Sequence, residues 1–341
     1  MKTNTLIKIF LFSVIINFGI ISPLKLHSQN KKYRVTGMIN IGGEARWDYL
    51  SVEYTLHRLY VSHGNSVNVI NLNDNSFAGE IKDLHGVHGI AFVPETGKGF
   101  ISDWKGNSVV AFDLKTLKVL DVIKLKEKNP DAIIYDEFTK RIFTFNGGSD
   151  NATAIDALTN KIIGTVNLEG KPEFAVSNGK GEIYVNIENK SELVKFSSEF
   201  LTVISRFPLS PLETPTGMAM DMANKRIFIG GRNKLMAVVD AVSGKVIQTL
   251  PIGAGVDGCA FDPRTNLVFC SNGSGIITVI KPESTDKYRV IDNAITQEGA
   301  RTMALDLTTH IIYTSTMIQK LVKIESDSSQ KTFGVLILDN K

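Results

Sequence analysis

Leu59-Tyr60-Val61, Gly99-Phe100-Ile101, Ile142-Phe143-Thr144, Ile183-Tyr184-Val185, Ile227-Phe228-Ile229, Val268-Phe269-Cys270 and Ile312-Tyr313-Thr314 share one plan, an aromatic residue between strand-forming neighbours. The aromatics recur at steps of 40, 43, 41, 44, 41 and 44 residues. Each follows a turn-forming stretch such as Val93-Pro94-Glu95-Thr96-Gly97-Lys98 or Asp262-Pro263-Arg264-Thr265-Asn266, whose Pro, Gly, Asp and Asn residues close tight hairpins. A second β-rich pair comes after each, as in Asn68-Val69-Ile70-Asn71-Leu72 and then Gly79-Glu80-Ile81, with Asp-x-x-Thr/Ser-x-Lys-type turns in several repeats. Four strands in a period of about 40–45 residues is the signature of propeller blades. The repeats therefore predict an all-β, seven-bladed β-propeller with four antiparallel strands per blade. The blade repeats start near residues 47, 87, 130, 172, 215, 256 and 300.

An open solenoid would use shorter periods and need polar caps at both ends, whereas here the ends complement each other. The last repeat has two early strands and then Phe333-Gly334-Val335-Leu336-Ile337-Leu338, but no fourth. The segment 33–41, through Tyr33-Arg34-Val35-Thr36-Gly37-Met38-Ile39, is expected to supply it. Closing a ring in this way removes exposed strand edges. The stretch Thr316 to Lys331 reads as a surface excursion.

Ahead of the repeats, Lys2 and Lys8 precede an apolar run of about 13 residues, Ile9 to Ile21, broken by Ser13, Asn17 and Gly19. A membrane span needs roughly 17–25 residues, so residues 1–28 read as a cleavable signal peptide cut after Ser28. No later apolar run is long enough to anchor the chain, and a periplasmic or secreted protein covering residues 29–341 is expected. Removing Lys2, Lys8 and Lys25 and no acid leaves 35 basic against 35 acidic residues. That balance lacks the broad basic field of nonspecific nucleic-acid binders.

The repeat also locates a site. Twelve residues before the aromatics stand Asp48, His88, Asp131, Thr216, Asp257 and Arg301, with Glu173 eleven before its own. Strand one of each blade begins on the face that carries the turn between strands two and three, so these seven positions are expected to ring one mouth of the central channel. With His88 neutral the ring carries four acids and one base, a formal −3. Two or three residues after the aromatics come His63, Asp103, Asn146, Asn186, Gly231, Asn272 and Thr316, expected on the same face, with Trp47, Trp104 and Arg232 beside them as walls or clamps.

Three readings of this ring stand open. It can be a solvated channel mouth with no ligand. It can hold a small molecule or a divalent cation, calcium or magnesium, since converging carboxylates are hard ligands; the metal candidates are Asp48, Asp131, Glu173 and Asp257. Or His88 and a neighbouring carboxylate such as Glu173 work as a general acid/base pair, with Arg301 holding an anion or oxyanion.

Asn146-Gly147-Gly148-Ser149 and Gly273-Ser274-Gly275 resemble phosphate loops, but no helix follows to present its N-terminus, so they read as turns. The chain has no Gly-x-Ser-x-Gly elbow, no His-Glu-x-x-His zinc helix and no Cys-x-x-Cys-His motif for covalent haem. Cys259 and Cys270, the only cysteines, flank a hairpin centred on Arg264-Thr265 and fall opposite each other. Two buried free thiols and a cross-strand disulfide both fit this spacing.

Trp47-Asp48-Tyr49-Leu50, Arg58-Leu59-Tyr60-Val61-Ser62-His63-Gly64, Gly86-Val87-His88-Gly89, Asn129-Pro130-Asp131-Ala132, Lys171-Pro172-Glu173-Phe174 and Gly299-Ala300-Arg301-Thr302 span nearly all of the chain after residue 28. On these segments the sequence resembles the YncE-like, YVTN-repeat family of exported β-propellers. Several repeats depart from its Tyr-Val-Thr-Asn signature: the first reads Tyr60-Val61-Ser62-His63 and the fifth Phe228-Ile229-Gly230-Gly231. The resemblance implies an exported propeller and says little about a substrate. The expected function is ligand binding or protein interaction through the ringed mouth, with an unknown small molecule or protein as partner. The alternative is a metal-assisted hydrolase or lyase similar to lactonase-type or virginiamycin-lyase-type propellers, in which an ion polarises a carbonyl and a histidine moves the proton.

Overall fold

The computed structural model describes residues 32–43, 47–319 and 331–340. The expected signal peptide lies outside the described residues. Among them, the strands form seven four-stranded antiparallel sheets, the blades of a propeller. Six sheets use four consecutive strands, and the seventh combines Met303–Leu305, Ile312–Gln319 and Lys331–Asp339 with the N-terminal strand Arg34–Asn40. The closing strand runs antiparallel to the last one, from Arg34 opposite Asp339 to Asn40 opposite Gly334. The expected excursion from Thr316 is not irregular at its start: Thr316 pairs with Gly334 and the strand continues to Gln319, while residues 320–330 lie outside the described residues. No described helix is long and apolar enough to cross a membrane.

The seven repeating aromatics lie on the second strand of each blade, and all are buried. They fill the wedges between blades: Tyr60 meets Phe92 at 4.9 Å and Phe112 at 5.7 Å, and Phe143 meets Phe196 of the next blade at 5.7 Å. A large side chain is needed here because blades splay apart away from the axis. Emptying one such position by Phe→Ala costs about 3–5 kcal/mol.

Two residues before several of these aromatics stands a base that ties its blade to the next. Arg58 donates to the Leu114 carbonyl at 2.9 Å, Lys98 to that of Leu158 at 2.7 Å, and Arg141 to that of Ser198 at 2.7 Å. The receiving turns are fixed by their own side chains. Asp113 and Asp156 each accept the backbone N–H of the Thr three residues on, at 2.7 Å.

The inner strands carry a shared irregularity. Their pairing with the second strand slips between Trp47 and Leu50, Val87 and Ile90, Pro130 and Ile133, Pro172 and Ala175, Pro215 and Met218, and Val256 and Gly258. A bulge frees local backbone groups and re-aims side chains. Here it falls on Asp48, His88, Asp131, Glu173, Thr216 and Asp257.

Candidate ligand site at the channel mouth

Buried polar residues of the second strands hold the bulges. Ser62 Oγ accepts from Asp48 N at 3.0 Å, Ser102 Oγ from Gly89 N at 2.8 Å, and Asn186 Oδ1 from Phe174 N at 2.7 Å. Polar side chains at the same strand positions reach across to the next blade: Ser102 donates to the Asp131 carbonyl, Asn186 to that of Thr216, and Ser271 to that of Arg301. Asp131, Thr216 and Arg301 are thereby positioned by the blade before them as well as by their own.

Asp48, Asp131, Glu173, Thr216 and Asp257 line a narrow channel cavity of ≈ 130 Å³, together with Tyr49 and, deeper, apolar residues such as Ile90, Ile133 and Met303. Asp48 also belongs to a wider surface groove of ≈ 450 Å³ with His88, Arg301, Trp47, Trp104, Lys105, Asn65 and Gly86. Gly86 has φ +86°, a conformation that side chains rarely adopt, so the chain turns there beneath Trp104.

The ring divides into three charge groups. His88 Nδ1 touches both Asp48 and Asp131, the latter at 3.1 Å. Arg301 Nε lies 2.8 Å from Asp257 Oδ2. Lys171 Nζ lies 3.2 Å from Glu173 and also contacts Glu188, which Arg232 reaches at 3.4 Å.

Burial opposes the charged form of His88, yet Asp131 and Asp48 outweigh it and raise the imidazole to about 10. Burial, followed by Asp131 and Glu188, pushes Glu173 up to about 8 against the pull of Lys171. Asp257 rises to about 6 through burial and Asp48, with Arg301 opposing. Asp131 is raised by burial although His88 pulls the other way. At neutral pH Glu173 therefore keeps its proton and His88 carries one, so the ring is less negative than the −3 counted from the sequence. An imidazolium held up to about 10 donates rather than accepts a proton at neutral pH, which gives His88 the acid's part in the expected acid/base pair.

The second row behaves differently from the first. Asp103, Asn146, Asn186, Asn272 and Thr316 are buried and engaged internally. Asp103 accepts from Ser108 at 3.1 Å, Asn146 donates to Asn151 at 2.8 Å and Thr153 at 2.9 Å, and Thr316 donates to the Glu298 carbonyl at 3.0 Å. His63 Nδ1 lies 2.9 Å from Asn68 Oδ1, and its ring stacks on Phe333. These residues support the mouth and do not line its groove. Lys105, Asn65, Tyr49, Lys171 and Glu188 also belong to the mouth, although the repeat spacing does not point to them. Lys105 has a sequence signal in its adjacency to Trp104; Glu188 has none.

Cys259 and Cys270 are free, buried and directly opposite each other, Sγ atoms 3.2 Å apart. The hairpin between them has a four-residue loop from Pro263 to Asn266, which keeps the pairing because the loop is symmetric about its centre.

No protein-family model matches the sequence, and no curated protein matches it either. Solved structures do. The "Kuenenia stuttgartiensis Hydrazine Synthase" structure aligns with TM-score 0.69 at 13% identity over 78% of this chain and 91% of that one. The chain from "Crystal Structure of Mitotic Checkpoint Complex" aligns with TM-score 0.72 at 12% identity over 89% of this chain and 96% of that one. At such identities the likeness is one of fold, the propeller, which hosts many unrelated functions.

Proposed function

We propose that this protein is a ligand-binding propeller whose groove takes a small polar molecule with a flat face and an acidic group. The observation that carries this reading is the composition of the groove: Trp47 and Trp104 line it, Arg301 and Lys105 supply positive charge, and Asp48 with His88 offers polar contacts. Indole faces accept flat apolar surfaces, Arg binds carboxylates in a defined geometry, and a carboxylate–imidazolium pair accepts and donates to hydroxyls. Sugar acids combine all three features. The opposite channel mouth has a different character, lined by Tyr54, Phe92, Phe261, Leu305 and Leu307, which supports placing the polar ligand on the ringed face.

Export to the periplasm or beyond, and membership in the YncE-like family, belong to the same proposal. N-terminal sequencing of protein recovered from a periplasmic fraction tests the export, with Gln29 expected as the first residue.

The chain has only two tryptophans, and both line this groove, so intrinsic tryptophan fluorescence reads the proposed site without background. Titration with glucuronate and galacturonate is expected to change the emission saturably, and their methyl esters and the neutral sugars are expected to bind more weakly. Trp104→Ala and Lys105→Gln should each weaken binding at least about tenfold, the effect of losing about 1.4 kcal/mol. A flat response to every compound, or equal binding by acids and esters, overturns the reading.

A further inference from the structure

We propose that Asp48, His88 and Asp131 form a three-ligand site for a divalent first-row transition ion of the manganese, iron and zinc class, open toward the groove. The site stands independently of the sugar-acid reading, because its residues are ion ligands by geometry whether or not the groove binds anything.

The first argument is convergence. One ligand atom from each of the three side chains lies within 4.8 Å of the others, a spacing at which a single ion can touch all three. The three come from consecutive blades, one per inner strand.

The second argument is the way His88 meets its neighbours. Nδ1 is buried and in contact with both carboxylates, yet it makes an aligned hydrogen bond to neither. A simple imidazolium–carboxylate pair puts an oxygen on the N–H axis. Here neither contact closes as an aligned hydrogen bond, and an ion entering among the three side chains takes the place of the proton on Nδ1. The other acids of the ring have their own bases, Glu173 with Lys171 and Asp257 with Arg301. Among the described residues of the ring, that leaves these three side chains as the group that no Lys or Arg touches.

The donor set decides the class of ion. Calcium takes six to eight oxygen ligands and magnesium a near-octahedral oxygen shell, whereas an imidazole nitrogen with two carboxylates suits manganese, iron or zinc. This moves the expectation away from calcium and magnesium. Three protein ligands leave positions for water or a bound molecule, the arrangement of catalytic rather than structural sites. The support is rigid: Ser62 holds the backbone N–H of Asp48, and Ser102 holds the carbonyl of Asp131 and the N–H of Gly89 beside His88. The Trp104 and His88 ring centroids lie 5.7 Å apart, and both side chains line the groove.

The test is titration of chelator-treated protein with manganese, zinc, calcium and magnesium ions by calorimetry, with pulsed electron paramagnetic resonance of the manganese-loaded sample. One manganese or zinc ion per chain is expected, with hyperfine coupling to an imidazole nitrogen. His88→Gln should abolish that coupling, and Asp48→Asn and Asp131→Asn should each weaken binding at least about 100-fold. Asp121→Asn, on an outer strand, should leave it unchanged, and thermal unfolding of every variant shows that the fold persists. Absence of stoichiometric binding, manganese binding without nitrogen coupling, or a preference for calcium each overturns the proposal. Trp104→Ala separates the two readings: it should weaken uronate binding at least about tenfold while leaving the affinity for the ion unchanged.

Discussion

The mouth of the channel has two halves built on the same repeat position. Blades one to three contribute Asp48, His88 and Asp131, and among the described residues the only positive charge touching these acids is the imidazole between them. Blades four to seven contribute Glu173, Thr216, Asp257 and Arg301, and there the acids are met by long bases, Lys171 at 3.2 Å and Arg301 at 2.8 Å. Long flexible cations reach an acid wherever it stands and screen it individually. A short imidazole can serve its neighbours only by drawing them to one point. The first half therefore concentrates chemistry and borders the tryptophan groove, while the second distributes charge around the rim.

The largest expected effect tests the second half. Glu173 keeps its proton in the folded state up to about 8, above its usual 4.5. Its favourable contribution is full below about 4.5 and is lost as pH rises through about 8. Glu173→Gln should leave stability unchanged in acid and raise it above pH 8 by several kcal/mol, since each tenfold change in proton affinity is worth about 1.4 kcal/mol. Urea unfolding across pH measures this, and an unchanged profile would mean that Lys171 alone satisfies Glu173.

His88→Gln probes the first half. In chelator-treated protein it leaves Asp48 and Asp131 facing each other without a cation, with an expected loss of about 3 kcal/mol in the same experiment. A loss no larger than that of a surface substitution would erase the contrast between the halves. Ser102→Ala removes the side chain that holds the Asp131 carbonyl and the Gly89 N–H. It should cost about 1–2 kcal/mol, and Ser271→Ala, its counterpart behind Arg301, a similar amount. If the first half is a preorganised site, only Ser102→Ala should also weaken metal binding. The smallest effect belongs to Arg232→Ala, whose partner Glu188 is shared with Lys171. With Arg232 more than half exposed, the expected cost is below about 0.5 kcal/mol.

The repeat spacing was enough to find the blades, because each needs a large buried aromatic at one place on its second strand, and Tyr60, Phe100 and their counterparts are that residue. It was also enough to find the ring, since a position fixed relative to a strand is fixed relative to the axis. It failed for the row after the aromatics. Asn146 and Asn186 look like ligand residues in sequence, but the amide nitrogen of Asn146 is spent on the neighbouring strand and the amide of Asn186 on a neighbouring strand and the next blade. Composition could not show this, because a polar side chain that satisfies a buried bulge reads the same as one that faces water.

Sequence by itself determined the number of blades, the strand that closes the ring and the identity of the seven mouth residues, because these follow from periodicity and chain order. Tertiary structure alone decided which charges meet. Lys171 and Glu188 lie 17 residues apart in the chain, and Asp257 and Arg301 lie 44 apart, yet each pair is in contact. The first pair is brought together by the bulged pairing of two strands in one blade, the second by adjacent blades turning around one opening. The protonation of His88 and Glu173 follows from those distances and from burial, quantities that exist only once the ring has closed.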